Sequence, residues 1–371
     1  MRFKKKILLL VPAPTARGGI TNYYYSLKAH LPNEVEFLIR GARNWPYRSN
    51  PLREFTRLIY DIAFFILRVM SFQFSLVQTS TSLGMMSVFR DGVFLKLGSL
   101  FGLKTIVFFR GWNPEIEKGI SGWKLRMFRF FFFSVDHVIV LSSLVESKLR
   151  EWGYNGSLSK ETTLVDDTYI SKFTMEHFVR KESDPIESIL FLGRIEMSKG
   201  VFELLEAFKI LRIKHPNVSL TFAGDGRDDE KLKAIVRDCE LHNVHFSGFV
   251  ENEEKSNVLL KADIYAFPSY TEGMPNSVLE AMAYGLPVYT RPVGGIPDIF
   301  QNGENGILES SLEPTIIAKH LIWMIEHPKE MSQMSRLNYL KAKENFWSST
   351  VAERMMKIYE EVLRKVEITV P

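Results

Sequence analysis

Short apolar runs bounded by Gly, Pro or polar residues recur along this chain, and they alternate with longer stretches in which apolar positions return every three or four residues. Runs of the first kind fall at 5–11, 35–39, 76–79, 105–109, 135–142, 189–192, 219–223, 244–246, 264–267 and 288–290. Each reads as a strand buried on both faces. Stretches of the second kind begin near Ile20, Val88, Gly122, Gly200, Asp229, Glu253 and Ser277, and the chain from Pro314 onward reads as helix. Strand and helix in strict alternation predict an α/β protein with parallel sheets. Residues 55–74 are strongly apolar but interrupted by Arg57, Asp61 and Arg68. A membrane span needs about 20 mostly apolar residues, so a buried or interfacial helix is expected there.

A chain of 371 residues is too long for one ordinary core, and two domains are expected. Periodicity fails around 170–187, where Ser-Asp-Pro appears, which places a linker there and gives domains at 1–180 and 181–345. One cysteine, Cys239, excludes an internal disulfide and suits a reducing cytoplasm. The apolar run after the basic start is stopped by Pro12, too early for a secretory signal. The net charge of +4 hides an asymmetry: residues 1–180 carry 25 Lys+Arg against 14 Asp+Glu, the remainder 22 against 29. A basic first half suggests an anionic surface or substrate. Nucleic acid finds no supporting zinc-finger, RRM or helix-turn-helix pattern. An anionic membrane fits better, and the basic, aromatic stretch 122–133 has the character of an interfacial helix.

One loop concentrates polar chemistry. Residues 269–285 read Ser-Tyr-Thr-Glu-Gly-Met-Pro-Asn-Ser-Val-Leu-Glu-Ala-Met-Ala-Tyr-Gly and follow a predicted strand. Ser277-Val-Leu-Glu280 has the form of a capping box, which predicts a helix start whose free N–H groups face any anion nearby. Glu280 then serves the helix and Glu272 is a solvated carboxylate, or both bind a ligand at the carboxyl end of the sheet. A second loop, Gly193-Arg-Ile-Glu-Met-Ser-Lys-Gly200, puts Lys199 where a helix begins. The helix dipole disfavours a cation there unless an anion neutralises it. Arg194 offers a fork and Lys199 a point charge to phosphate oxygens; a solvated surface pair is the alternative. Gly18 and Gly19 permit a close backbone approach to phosphate, although the G-x-G-x-x-G fingerprint is absent. No D-x-D triplet occurs.

The E-x7-E spacing of Glu272 and Glu280, with Glu-Gly-Met-Pro before it and Glu-Ala-Met-Ala-Tyr-Gly-Leu-Pro-Val after it, resembles the signature of GT-B glycosyltransferases of family 4. So do Gly193-Arg194 with Lys199-Gly200, Gly224-Asp-Gly226 and Gly294-Gly-Ile-Pro-Asp298. The resemblance is specific from Gly193 to Leu308 and loose before it. It implies two Rossmann-like domains facing each other across a cleft, with 346–371 crossing back to the first. The donor, a UDP- or GDP-sugar, would lie mainly on the second domain and the acceptor on the first, with retention at the anomeric carbon and no metal. Glu272 would meet the sugar hydroxyls and Glu280 the ribose. Arg194 and Lys199 would clamp the diphosphate, which the Gly18-Gly19 loop would face. Phe249 and Val250 would lie at the nucleobase, and Gly273, Met274, Pro275, Asn276, Ser277 and Val278 would complete the donor site. Arg110 stands where many members carry a histidine. It is either a member of the catalytic set with Glu272, Arg194 and Lys199, or a surface residue paired with Glu115 or Glu117. The expected acceptor is a glycan, on a membrane lipid carrier or a growing surface polysaccharide, with the protein peripheral on the inner face of the cell membrane. A soluble acceptor and a non-catalytic scaffold subunit are the alternatives.

Overall fold

The computed structural model describes residues 6–16, 18–41, 50–172 and 174–364. The chain forms two compact units, Met1–Thr162 with Ser348–Pro371, and Thr163–Trp347. In the first unit the order is β1 (Lys6–Val11), α1 (Gly19–Lys28), β2 (Val35–Ile39), α2 (Pro51–Val69), β3 (Phe74–Ser82), α3 (Met85–Leu100), β4 (Lys104–Gly111), α4 (Pro114–Lys118), α5 (Gly122–Phe132), β5 (His137–Val140), α6 (Ser143–Glu151) and β6 (Leu158–Lys160). The second contains β7 (Ser188–Leu192), α7 (Val201–Lys214), β8 (Ser219–Ala223), α8 (Asp229–Asp238), β9 (Val244–Gly248), α9 (Asn252–Leu260), β10 (Ile264–Phe267), α10 (Asn276–Ala283), β11 (Val288–Thr290), α11 (Ile296–Ile299), β12 (Gly306–Leu308), α12 (Pro314–Glu326) and α13 (Pro328–Asn345). The last helix, α14 (Ser348–Arg364), returns to the first unit.

Both sheets are parallel and six-stranded, in the orders β2-β1-β3-β4-β5-β6 and β12-β11-β10-β7-β8-β9. Successive strand residues face opposite ways, and the register sorts the first unit into two layers. Leu8 lies beside Val77, and Val107 beside Val138, so these share one face. There Leu8, Leu10 and Val77 pack with Phe65 and Val69 of α2 and Phe94 of α3, while Val107, Phe109, Val138 and Val140 pack with α3 and α5. Gly98 on α3 leaves no room for a Cβ against Val77, which explains a small residue inside that helix. The other face carries α1 and α14: Tyr23 meets the Phe108 ring and Tyr24 hydrogen-bonds Ser80 and Gln78.

The boundary between units falls at Thr162/Thr163, ahead of the linker expected at 170–187. The backbone there is irregular, as its composition predicts, but its side chains belong to the second unit. Phe178 stacks on Tyr339, Arg180 pairs with Asp263 at 2.5 Å, and Val165 N–H donates to the Phe346 carbonyl.

Candidate functional site

In the second sheet the chain order reverses between β7 and β10, so the loops that follow these neighbouring strands diverge and open a crevice at their carboxyl ends. The two polar loops found in the sequence are these loops. They are seated backbone against backbone. Gly224, at φ 143°, stands where a Cβ would collide with the Gly193 carbonyl, and Ile195 N–H donates to the Asp225 carbonyl at 2.8 Å. Gly224-Asp-Gly226 is thus a structural seat for the 193–195 loop. Tyr270 N–H donates to the Ser198 carbonyl, tying one loop to the other. On the far side Gly294, at φ 59°, closes on the carbonyls of Glu272 and Gly273, and Gly295 N–H donates to the latter at 2.6 Å. Gly294→Ala should therefore displace the Glu272 backbone. Gly303→Ala, at a glycine that also has positive φ but open space around it, is the control: the melting temperature should fall further for Gly294→Ala than for Gly303→Ala.

Glu272 and Lys199 meet in this crevice. Lys199 Nζ lies 2.6 Å from Glu272 Oε1, which also accepts from Ser269 Oγ at 2.7 Å. Both charged side chains are largely buried, so the anion that the position of Lys199 demands is supplied by Glu272. Arg194 differs: its side chain is 67% exposed and pairs with Glu196 at 3.1 Å, the contact of a solvated pair.

Glu280 does not close a capping box. Helix α10 starts at Asn276 behind an extended Pro275, without a side-chain cap, which puts Ser277 inside the first turn and Glu280 a further turn along. From there Glu280 cannot reach back to the helix start. Ser277 Oγ is instead engaged by Tyr265 Oη at 2.8 Å, and Glu280 Oε1 accepts from Lys255 Nζ at 2.8 Å. The Glu280 charge raises the pKa of Lys255 against the opposing effect of burial. Lys255, on α9, escaped sequence reading because its partner lies 25 residues away and its neighbours Glu253 and Glu254 suggest an ordinary solvated face. Met274, Pro275 and Val278 are buried under the loop, leaving Gly273, Asn276 and Ser277 partly open. Phe249 is half exposed beyond Gly248, whose carbonyl accepts from Gly224 N–H.

The remaining predicted residues lie in the first unit. Gly18, at φ 146°, opens α1, which has no side-chain cap, and Gly19 is its first helical residue. Arg110 does not follow β4 but lies within it, on the α1 and α14 face. It is 9% exposed, and its guanidinium sits 3.8 Å from the Tyr23 ring centroid. Neither expected surface partner is available: Glu115 bonds Lys118, and Glu117 bonds Lys148 and Trp112. Nε and Nη1 of Arg110 are buried without a hydrogen-bond partner, as are Tyr23 Oη, Gln78 Oε1 and Tyr359 Oη. Burial lowers the Arg110 pKa and raises that of Tyr23, keeping the phenol neutral beside it. Among the described residues Arg110 is a buried cation with no carboxylate against it. His137 bonds Ser157 and Ser159 and is structural. Among the described residues no three His, Cys, Asp or Glu side chains are grouped to hold a metal.

Residues 173–340 match the family model of glycosyl transferases group 1. The glycogen synthase of Mycobacterium tuberculosis is 29% identical over 181 residues, 48% of this chain and 44% of that protein. The putative teichuronic acid biosynthesis glycosyltransferase TuaC of Bacillus subtilis is 32% identical over 163 residues, 42% of this chain and 39% of that protein. The chain thus spans less than half the length of these curated relatives. Among solved structures, Anabaena Alr3699/HepE in complex with UDP-glucose aligns with a TM-score of 0.70 over 96% of this chain and 99% of that one, at 15% identity. That likeness is one of fold.

Proposed function

We propose that this chain, which belongs to the glycosyl transferases group 1 through residues 173–340 and has the GT-B fold, moves a sugar from a nucleoside diphosphate sugar to a hydroxyl of a glycan acceptor. The observation that carries the reading is a pair of lysine-held glutamates, Glu272 with Lys199 in the loop after β10 and Glu280 with Lys255 a turn into α10, beside the crevice of the second sheet. The donor is a UDP- or GDP-sugar; HepE is a neighbour solved with UDP-glucose. Glu280, held by one oxygen on Lys255, keeps its other oxygen for ribose hydroxyls. Phe249 and Val250 flank the base. Breaking the bond from the anomeric carbon to the diphosphate puts negative charge on the leaving group. Lys199 can leave Glu272 for that charge while Glu272 accepts from sugar hydroxyls, and Arg194 is free to swing from Glu196 to a phosphate oxygen. The amides at the start of α10, where Asn276 and Ser277 are partly open, add to this field. In the first unit Gly18, Gly19 and Arg110 are assigned to the same reaction, Arg110 as a cation awaiting an anion. The transfer retains anomeric configuration, as in family 4. The acceptor is borne on a lipid carrier or a surface polysaccharide, at the inner face of an anionic cell membrane.

Positive charge from lysine and arginine does the work that D-x-D enzymes give to a metal. Transfer is accordingly expected to survive EDTA. Complete loss on chelation, restored by magnesium or manganese, would overturn this leaving-group chemistry. Release of nucleoside diphosphate from a panel of UDP- and GDP-sugars tests the function itself.

A further inference from the structure

We infer that the outer side of α2, α3 and α5 in the first unit is a docking surface for an anionic lipid bilayer, with α2 lying in the plane of the interface. The inference deepens the membrane partner proposed above, and it is independent of the chemistry in the second unit. A helix that covers a sheet normally buries one apolar stripe and shows water a polar one. Helix α2 is apolar on both sides. It buries Phe65 and Val69, yet Leu52, Phe55, Ile59, Phe64 and Leu67, spread over its far side and both flanks, stand between 43% and 71% exposed. Just past its end Phe72 is 73% exposed at φ 54°, a left-handed conformation that a bulky residue adopts at a cost. Neither burial nor turn geometry accounts for phenylalanine there. The neighbouring helices, packed on the same face of the sheet, expose large apolar side chains as well, Leu100 on α3 and Trp123 and Phe130 on α5. So large an exposed apolar surface marks an interaction site.

Charge selects the occupant. The acidic groups of α2 are already engaged, Glu54 by Arg57 and Asp61 by the Gly41 N–H. Arg53 on α2 and Lys124 and Arg126 on α5 make no ion pair among the described residues, so the unpaired charges named on this surface are positive. Exposed apolar side chains interleaved with unpaired cations suit the boundary between anionic headgroups and acyl chains. A second copy would bring like charges together. No helix among the described residues is long and apolar enough to cross a membrane, so the surface lies on the bilayer.

The test is sedimentation of the full chain with vesicles of phosphatidylcholine, with and without phosphatidylglycerol, at several salt concentrations. Binding is expected only with the anionic lipid and should weaken with salt. Replacing Phe55, Ile59 and Leu67 together by serine should lower partitioning by about tenfold or more. Replacing Arg53, Lys124 and Arg126 by glutamine should lower it about fivefold per charge at low salt. UDP and GDP affinity, a property of the second unit, should be unchanged in both variants, and an unaltered circular dichroism spectrum and melting transition report that the first unit, which carries the substitutions, is folded. Absence of vesicle binding by the intact chain would overturn the inference. So would serine-variant binding equal to that of the parent, or a dimer in solution that the serine variant dissolves. Vesicle binding as expected in a chain that binds no nucleotide sugar would support the surface while removing the transferase reading.

Discussion

Lys199→Met is expected to lower glycosyl transfer by about 10²- to 10³-fold, the usual loss on removing one preorganised donor from a developing charge. Methionine keeps the length and apolar stem of lysine, so the change isolates the ammonium. It also leaves Glu272 with only the Ser269 hydroxyl, and a largely buried carboxylate stripped of its cation destabilises the fold. The two effects separate when the double variant Lys199→Met/Glu272→Gln is set against Glu272→Gln alone. Stability should return in the double variant, because no unpaired charge remains, while turnover stays well below that of Glu272→Gln. If turnover returned with stability, Lys199 would be a structural partner of Glu272 and nothing more.

Arg110→Met should divide stability from activity in the opposite sense. The guanidinium is buried without a carboxylate, and stacking on Tyr23 offsets only about 2 kcal/mol of its desolvation. Removing it should leave the ligand-free melting temperature unchanged or higher, with the methionine filling the space on the tyrosine ring. Turnover should fall by at least about 10²-fold if Arg110 neutralises a phosphate of the donor or acceptor. A lower melting temperature with unaltered turnover would make Arg110 a packing residue. Arg110→His probes the position further, since near-normal transfer would show that either side chain serves as the donor to that anion.

Fold and chemistry were legible to different depths for physical reasons. Parallel strands buried on both faces are uninterrupted apolar runs, and β8, β10 and β11 match the predicted segments residue for residue. β3 runs on to Ser82 through Gln78, Thr79, Ser80 and Thr81, which are buried but polar. Such residues read as a strand end unless their partners are known, and the partner of Ser80 is Tyr24, 56 positions away. Arg110 falls beyond the predicted β4 for the same reason: pairing of Gly111 with Ser82 of β3 carries the strand past it, a contact no local pattern contains. The capping box at Ser277 failed because the extended Pro275 starts the helix before that serine. The predicted linker failed because irregular backbone does not mean unpacked side chains, as Phe178 against Tyr339 demonstrates. The glutamates were visible as a spacing; the lysines that hold them were visible only in part, since Lys199 carried a dipole signal and Lys255 carried none.

Unfolding of the intact chain with and without nucleotide sugars tests the central claim most directly. A donor present at about 100 times its dissociation constant adds about 2.7 kcal/mol of stability. One UDP- or GDP-sugar is expected to give that increment, and Glu280→Gln should abolish most of it, with a lower ligand-free stability as well because Lys255 loses its carboxylate partner. An increment that survives Glu280→Gln and Lys199→Met alike, or no increment from any nucleotide sugar, would contradict the assignment of the donor to this crevice.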